Sequence, residues 1–203
     1  GACAAGRPRA MTAAVMVAAR RLAVTPRGGG FRRLEIHELA APVITALLGD
    51  SGLPPESVDE VILANALGGG GNPARLATLA AGLPERVAGL SIDRQCCGGM
   101  DAVLLADALI RAGGPEVVVA GGAESYSRRP ERLRTDPDGG PPAPYDQPPF
   151  TPWPDRDPDM AEAAEALAAR LGVTRVEQDA WAIESHSRAR AALPRMAREI
   201  VPL

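Results

Sequence analysis

At 203 residues, 46% of them hydrophobic and 23% charged, the chain has a globular composition and enough length to bury a core, which excludes a disordered or fibrous protein. A net charge of −3, with no basic stripe interleaved with aromatics, excludes a polyanion-binding surface, and no nucleic-acid partner is expected. All 22 basic residues are Arg, so a Schiff-base lysine and a phosphate-loop lysine are excluded outright.

Residues 1–10 (GACAAGRPRA) precede Met11 and lack an apolar core, so they read as a tail or tag remnant and not as a secretory signal. Ala13–Ala19 (AAVMVAA) is a short apolar run expected as a buried strand. Thr25–Arg33, with its glycine triplet, is expected as a loop. Glu35–Leu48 has helical spacing at Leu39, Val43, Leu47 and Leu48, ends at Gly49, and carries Pro42 as a site for a kink. Val58–Leu67 contains a second strand. Asn72–Gly82 is a punctuated helix, with Asn72 as cap, Pro73 at the first helical position and Gly82 past the end. Leu90–Gln95 reads as a third strand, Ala102–Arg111 as a helix, and Glu116–Ala120 as a fourth strand closed by Gly121-Gly122.

That alternation predicts an α/β fold with a largely parallel sheet covered by helices. Composition then shifts. Arg128–Asp159 holds half of the 20 prolines and reads as a long irregular excursion of the kind that serves as a lid. Helix returns at Met160–Leu171, stopped by Gly172. A second helix follows from the capping box at Thr174-Arg175-Val176-Glu177 to about Leu193. Glu199–Leu203 reads as the start of a strand.

The most pointed stretch is Asp93–Gly113, DRQCCGGMDAVLLADALIRAG. Strand, sharp turn and helix is a good way to present a nucleophile. A thiol at a helix start sits near unpaired N–H groups and the positive end of the dipole, which makes it more acidic. The same N–H groups can hold a carbonyl oxygen as charge develops. On the residues alone the alternative stands beside it, that both cysteines are buried small hydrophobes. Adjacent cysteines seldom ligate one ion, and only Cys3, His37 and His186 remain as soft ligands, so no metal is expected. The following helix, Ala102–Ile110, has one charge and no polar face. A helix that is apolar all round is buried all round, so something besides this sheet is expected to cover it.

At these residues the sequence resembles the thiolase family. DRQCCGGMDAV is similar to the segment around the family's acyl-accepting cysteine, N-R-Q-C-x-S-G-[LM]. In the same order, AARR…TPRGGGF, HELAAPVI, VDEVILANAL, GGNPARLATLAAGLP, EVVVAGGAESYSRRP, TRVEQDAWAIESHSRARAA and REIVP resemble successive family segments from about Met11 to Leu203. The resemblance implies Cys96 as the nucleophile that takes an acyl group from an acyl-CoA or 3-ketoacyl-CoA, with Cys97 as packing. It implies no cofactor beyond the coenzyme A thioester substrate. It divides the chain into an αβα core at 11–124 and a substrate-covering loop region at 125–203.

The departures also carry information. The family's serine two places after the nucleophile is Gly98, the Met-Gly of its substrate loop is Met160-Ala161, and the histidine that often precedes it is Asp159. The resemblance covers roughly the first half of a thiolase. The second half of the family carries the activating histidine and a second cysteine, and neither His37 nor His186 matches a catalytic position; each is expected to be structural. The resemblance therefore implies a split enzyme, this chain supplying Cys96 and a separately encoded C-terminal half supplying the rest, in a homo- or hetero-oligomer. The rival expectations are a non-catalytic thiolase-fold scaffold and a truncated single-chain thiolase. Met160 is the substrate-loop candidate. Arg128 and Arg129 are candidates for the CoA phosphates, or else a solvated face. Phe150, Trp153 and Tyr145 are expected to anchor their loop, the alternative being the lining of an acyl tunnel. No apolar run is long enough for a membrane, and a reducing cytoplasm is the expected compartment.

Overall fold

The structure, a computed structural model, describes residues 13–203; the tail expected at 1–10 lies outside them. The chain divides into two compact units. One holds the residues up to Pro130 together with Glu199–Leu203, and the other is Glu131–Arg198. The Tyr126–Arg128 turn and the final strand-like residues thus stay with the αβ core.

In the first unit, α1 (Ile36–Ser51), β1 (Glu60–Ala64), α2 (Pro73–Ala80), β2 (Ala88–Ile92), α3 (Gly98–Arg111) and β3 (Val118–Gly122) follow in order. The strands form a parallel sheet in the order β2-β1-β3, with Ile62 opposite Leu90 on one side and Ala120 on the other. β1 is central and alternates its side chains between two helical layers. Val61 and Leu63 pack with Ala40 and Ile44 of α1 and Ala74 and Ala77 of α2. Ile62 packs with Ala102 and Ala106 of α3 on the other face. A parallel sheet needs both faces covered, and this one has them covered around its middle strand.

Local signals place the helix ends. Glu35 and Glu38 form a reciprocal capping box on α1. Pro42 lies inside that helix without ending it, and closure comes at Gly52, not Gly49. Gly52 takes a left-handed φ of +67° and its N–H donates to the Leu48 carbonyl at 3.0 Å. On α2, the Asn72 side chain accepts from Arg75 N–H at 3.0 Å, and its amide donates to the Gly89 carbonyl at 2.7 Å. A Cβ on Gly89 would stand 2.5 Å from the Arg75 nitrogen, so α2 lies directly on the β2 backbone.

One expectation is corrected. Ala13–Ala19 is not a strand: it has no strand pairing, and Val15, Met16 and Val17 are 78%, 74% and 67% exposed. Apolar content asks for burial, but a strand also needs a partner for its N–H and C=O groups. Here a cavity of about 360 Å³, lined by Ala13, Val15 and Val17 on one side and Val117 and Val118 on the other, separates the run from β3. Pairing begins at Arg21, which makes a parallel bridge with Ile200: Arg21 N–H donates to the Glu199 carbonyl at 2.9 Å, and Val201 N–H donates to the Arg21 carbonyl at 2.8 Å. Within this chain α3 is covered on one side only. It is buried at Gly98, Ala102 and Ala106, while Met100, Val103 and Leu104 face outward and are exposed.

The second unit contains a short antiparallel hairpin, β4 (Arg132–Arg134) with β5 (Ala143–Tyr145), inside the proline-rich excursion, followed by α4 (Met160–Leu171) and α5 (Arg175–Met196). Asp159 caps α4 and Gly172 closes it at φ +68°. A capping box between Thr174 and Glu177 opens α5. No helix of the described residues is long and apolar enough to cross a membrane.

Candidate active site

The cysteine turn is built between the end of β2 and the start of α3. Ile92 is held by its carbonyl, which accepts from Asn65 N–H at 3.0 Å. Asp93 Oδ1 then accepts from Gln95 N–H at 2.8 Å, and the Arg94 carbonyl accepts from Cys97 N–H at 3.2 Å. Gln95 sits at φ +50°, the one non-glycine with a positive φ among the described residues. A left-handed residue with a side chain costs about 1–2 kcal/mol. Gln95–Cys97 form a single tight turn that runs straight into α3 at Gly98. Arg94 and Asp101 pair at 3.0 Å and tie the turn to the first turn of the helix; an acidic residue there also suits the helix dipole.

Both cysteines are exposed. Cys96 lies within the turn, and Cys97 occupies the cap position of α3 and belongs to neither buried cluster. Chemically, Cys96 is an exposed thiol in the turn directly before a helix start, whose first N–H groups have no intrahelical partners. Such a site can attack a carbonyl carbon and stabilise the oxygen that becomes negative.

Sequence reasoning missed a clamp next to this turn. The Glu124 carboxylate accepts from the backbone N–H of Ala66 and of Leu67, the latter at 3.3 Å, and from the Asn65 amide at 3.0 Å. Asn65 also donates to the Ala123 carbonyl at 2.9 Å and accepts from Gly68 N–H at 3.0 Å. The loops after β1 and β3 are thereby fixed to each other. The available signal was the acidic residue in Gly121-Gly122-Ala123-Glu124, the only charged residue in that turn. Ser125 adds a further tie, its hydroxyl donating to the Leu34 carbonyl at 2.6 Å.

The other candidates are placed apart from one another in role. Arg128 pairs with Glu35 of the α1 cap at 2.7 Å. Arg129 lies over the Tyr126 ring, 5.0 Å from its centroid, with Arg27 on the same ring at 5.7 Å. Met160 opens α4 in the second unit and is exposed. His37 is in the first turn of α1 and His186 is within α5. Tyr145 and Trp153 each stack with an arginine, Arg134 and Arg156 respectively. A cavity of about 470 Å³ lies between Leu39, Ile44 and Val119 on one side and Leu22 and Val24 on the other; Cys96 does not line it. Among the described residues, no group of three or more His, Cys, Asp or Glu side chains is arranged to hold a metal.

Comparison with known proteins gives these features a family. YhfS of Bacillus subtilis, which carries a provisional acetyl-CoA C-acetyltransferase name, is 44% identical over 181 residues, covering 88% of this chain and 45% of that protein. VraB of Staphylococcus epidermidis, with the same provisional name, is 37% identical over 85% of this chain and 46% of its own length. The crystal structure of the Bacillus anthracis acetyl-CoA acetyltransferase superposes with a TM-score of 0.84 at 37% identity, over 95% of this chain and 51% of that one. The chain therefore spans about half the length of the relatives it matches. The profile of the thiolase N-terminal domain matches residues 14–203, and the chain belongs to the thiolase family.

Proposed function

We propose that this chain is the nucleophile-bearing half of a thiolase-type acyltransferase, with Cys96 as the acyl acceptor. The observation that carries the reading is the exposed Cys96 on a left-handed turn at the start of α3. The acetyl-CoA acetyltransferase names of its relatives support a short acyl-CoA as substrate. In the first step the Cys96 sulfur bonds to the thioester carbonyl carbon. The carbon–sulfur bond to coenzyme A then breaks, and the released thiol leaves with the proton that Cys96 gave up. Sulfur suits both roles, because it attacks well and leaves well. The acyl group then passes to the carbanion of a second acetyl-CoA, forming a carbon–carbon bond; the reverse sequence cleaves a 3-ketoacyl-CoA.

The proton acceptor and the second acid–base group come from a complementary C-terminal half on a separate polypeptide. Exposed Met100, Val103 and Leu104 on α3 support a covering layer from outside this chain. In this reading Arg128 and Arg129 serve the CoA phosphates, and Met160 serves the acyl-pantetheine chain.

Incubation with acetyl-CoA followed by peptide mapping tests the reading. An acetyl adduct on Cys96, absent in Cys96→Ser and present in Cys97→Ser, is the expected result; an adduct on Cys97 alone overturns it. The intact mass of the native protein tests the two-chain arrangement separately. One polypeptide containing both halves would replace it with a continuous enzyme and leave the role of Cys96 standing.

A further inference from the structure

The cysteine turn hangs between two fixed points. At one end β2 finishes at Ile92, bonded to Asn65 N–H. At the other, the first turn of α3 rests on the ends of β1 and β3. Gly98 is buried, and a Cβ placed on it would stand 2.6 Å from the Ala64 Cβ. A Cβ on Gly122 would stand 3.6 Å from the Gly99 Cα. Non-bonded carbons rest at about 3.5–4.0 Å. The helix is therefore seated about one ångström deeper at position 98 than any residue with a side chain allows opposite Ala64.

Residues 93–97 must span what that seat leaves open, and they do so with Gln95 in the left-handed region. Such strain persists only where the surroundings over-determine it. The surroundings are identifiable: Asp93 Oδ1 holds Gln95 N–H at 2.8 Å, Arg94 is paired to Asp101, and α3 cannot rise while Gly98 lies on Ala64.

We propose that the Ala64–Gly98 contact is the positioning device for Cys96. The missing side chain at 98 sets the depth of α3, that depth imposes the left-handed Gln95, and the turn so formed holds the Cys96 sulfur outward at the helix start. Gly98 touches no reacting atom and is a positioning residue. The proposal rests on the reading of Cys96 as acyl acceptor. It also explains a departure: a serine at 98 on this backbone would drive its Cβ into Ala64, so serine there demands glycine at 64.

The test uses limiting iodoacetamide near neutral pH, with Cys96 and Cys97 rates read from the same molecules by peptide mapping. Using the ratio of the two rates removes any general loosening of the protein. In the unmodified chain Cys96 labels faster. In Gly98→Ala the Cys96-to-Cys97 ratio falls by about tenfold, less than the hundredfold that an ångström of misplacement can cost a catalysed step. In the double variant Ala64→Gly/Gly98→Ala the ratio returns to within about twofold of the unmodified chain, because the clash is gone. If Gly98→Ala does not fold, Ala64→Ser adds one oxygen to the other side of the same contact and lowers the ratio by about threefold. A lowered melting temperature with an unchanged ratio overturns the positioning role, as does a folded double variant that is not rescued. Equal rates in the unmodified chain overturn the acyl-acceptor reading, and this proposal with it.

Discussion

α2 and α5 both begin with a side-chain cap, Asn72 in one and Thr174 in the other, yet they differ sharply in how much they bury. α2 has eight residues and buries Pro73, Ala74, Ala77 and Thr78. α5 has 22 residues, buries none of them, and leaves Trp181 78% exposed. A cap decides where a helix starts; tertiary packing supplies most of the free energy that keeps it. In α2 the two functions are joined, because the capping Asn72 also bonds β2 through the Gly89 carbonyl and accepts from the Ser91 hydroxyl at 2.7 Å. In α5 they are separate.

The largest test of this contrast is Gly89→Ala. The new methyl meets the nitrogen and Cα of Arg75 at 2.5 and 2.6 Å, and backbone cannot step aside as a flexible side chain can. A loss of about 3 kcal/mol is expected by chemical denaturation; a loss under about 1 kcal/mol would mean that α2 does not depend on this seat. Asn72→Ala comes next, at about 2 kcal/mol, since it removes a cap and leaves the Gly89 carbonyl and Ser91 without their partner. Thr174→Ala costs about 1 kcal/mol, confined to α5. Far-UV circular dichroism should lose helix signal while the unfolding midpoint of the αβ unit stays put, and a shifted midpoint would contradict the separation. The smallest effect is a pH response. Asp59 accepts from the backbone N–H of Val117 and of Glu116, at 3.0 and 2.8 Å, and these bonds hold its carboxyl below the usual carboxylate range. Its contribution is complete above an ordinary carboxylate pKa of about 4 and disappears as pH falls through the lower folded value. The αβ midpoint should therefore drop in acid, and less steeply in Asp59→Asn.

Where sequence and structure agree, the cause is local. Asp159 and Gly172 bound α4 at the residues expected, and Asn72-Pro73 and Thr174-Glu177 open their helices as read. Where they differ, the cause is distant. Ala13–Ala19 has the composition of a strand, but pairing is a property of two segments. The helix expected from Ala102 starts at Gly98 instead, and in its first turn a distant residue, Ala64, approaches too closely for a side chain only at position 98. The β4–β5 hairpin was hidden by Pro144, a residue that argues against a strand and is tolerated here in a two-stranded edge opposite Leu133. Near the site, the turn that holds Cys96 was legible because neighbours in sequence make it. The Glu124–Asn65 clamp was not, since its partners lie 57 to 59 residues away.

The bridge between Arg21 and Ile200 joins positions that flank nearly the whole chain. Because Pro130 and Glu199 both belong to the αβ unit, residues 131–198 leave that unit and return to it. They form a cassette: changes in their length or proline content leave the threading of the three-stranded parallel sheet untouched, whereas the freedom at position 89 or 98 ends at one methyl group.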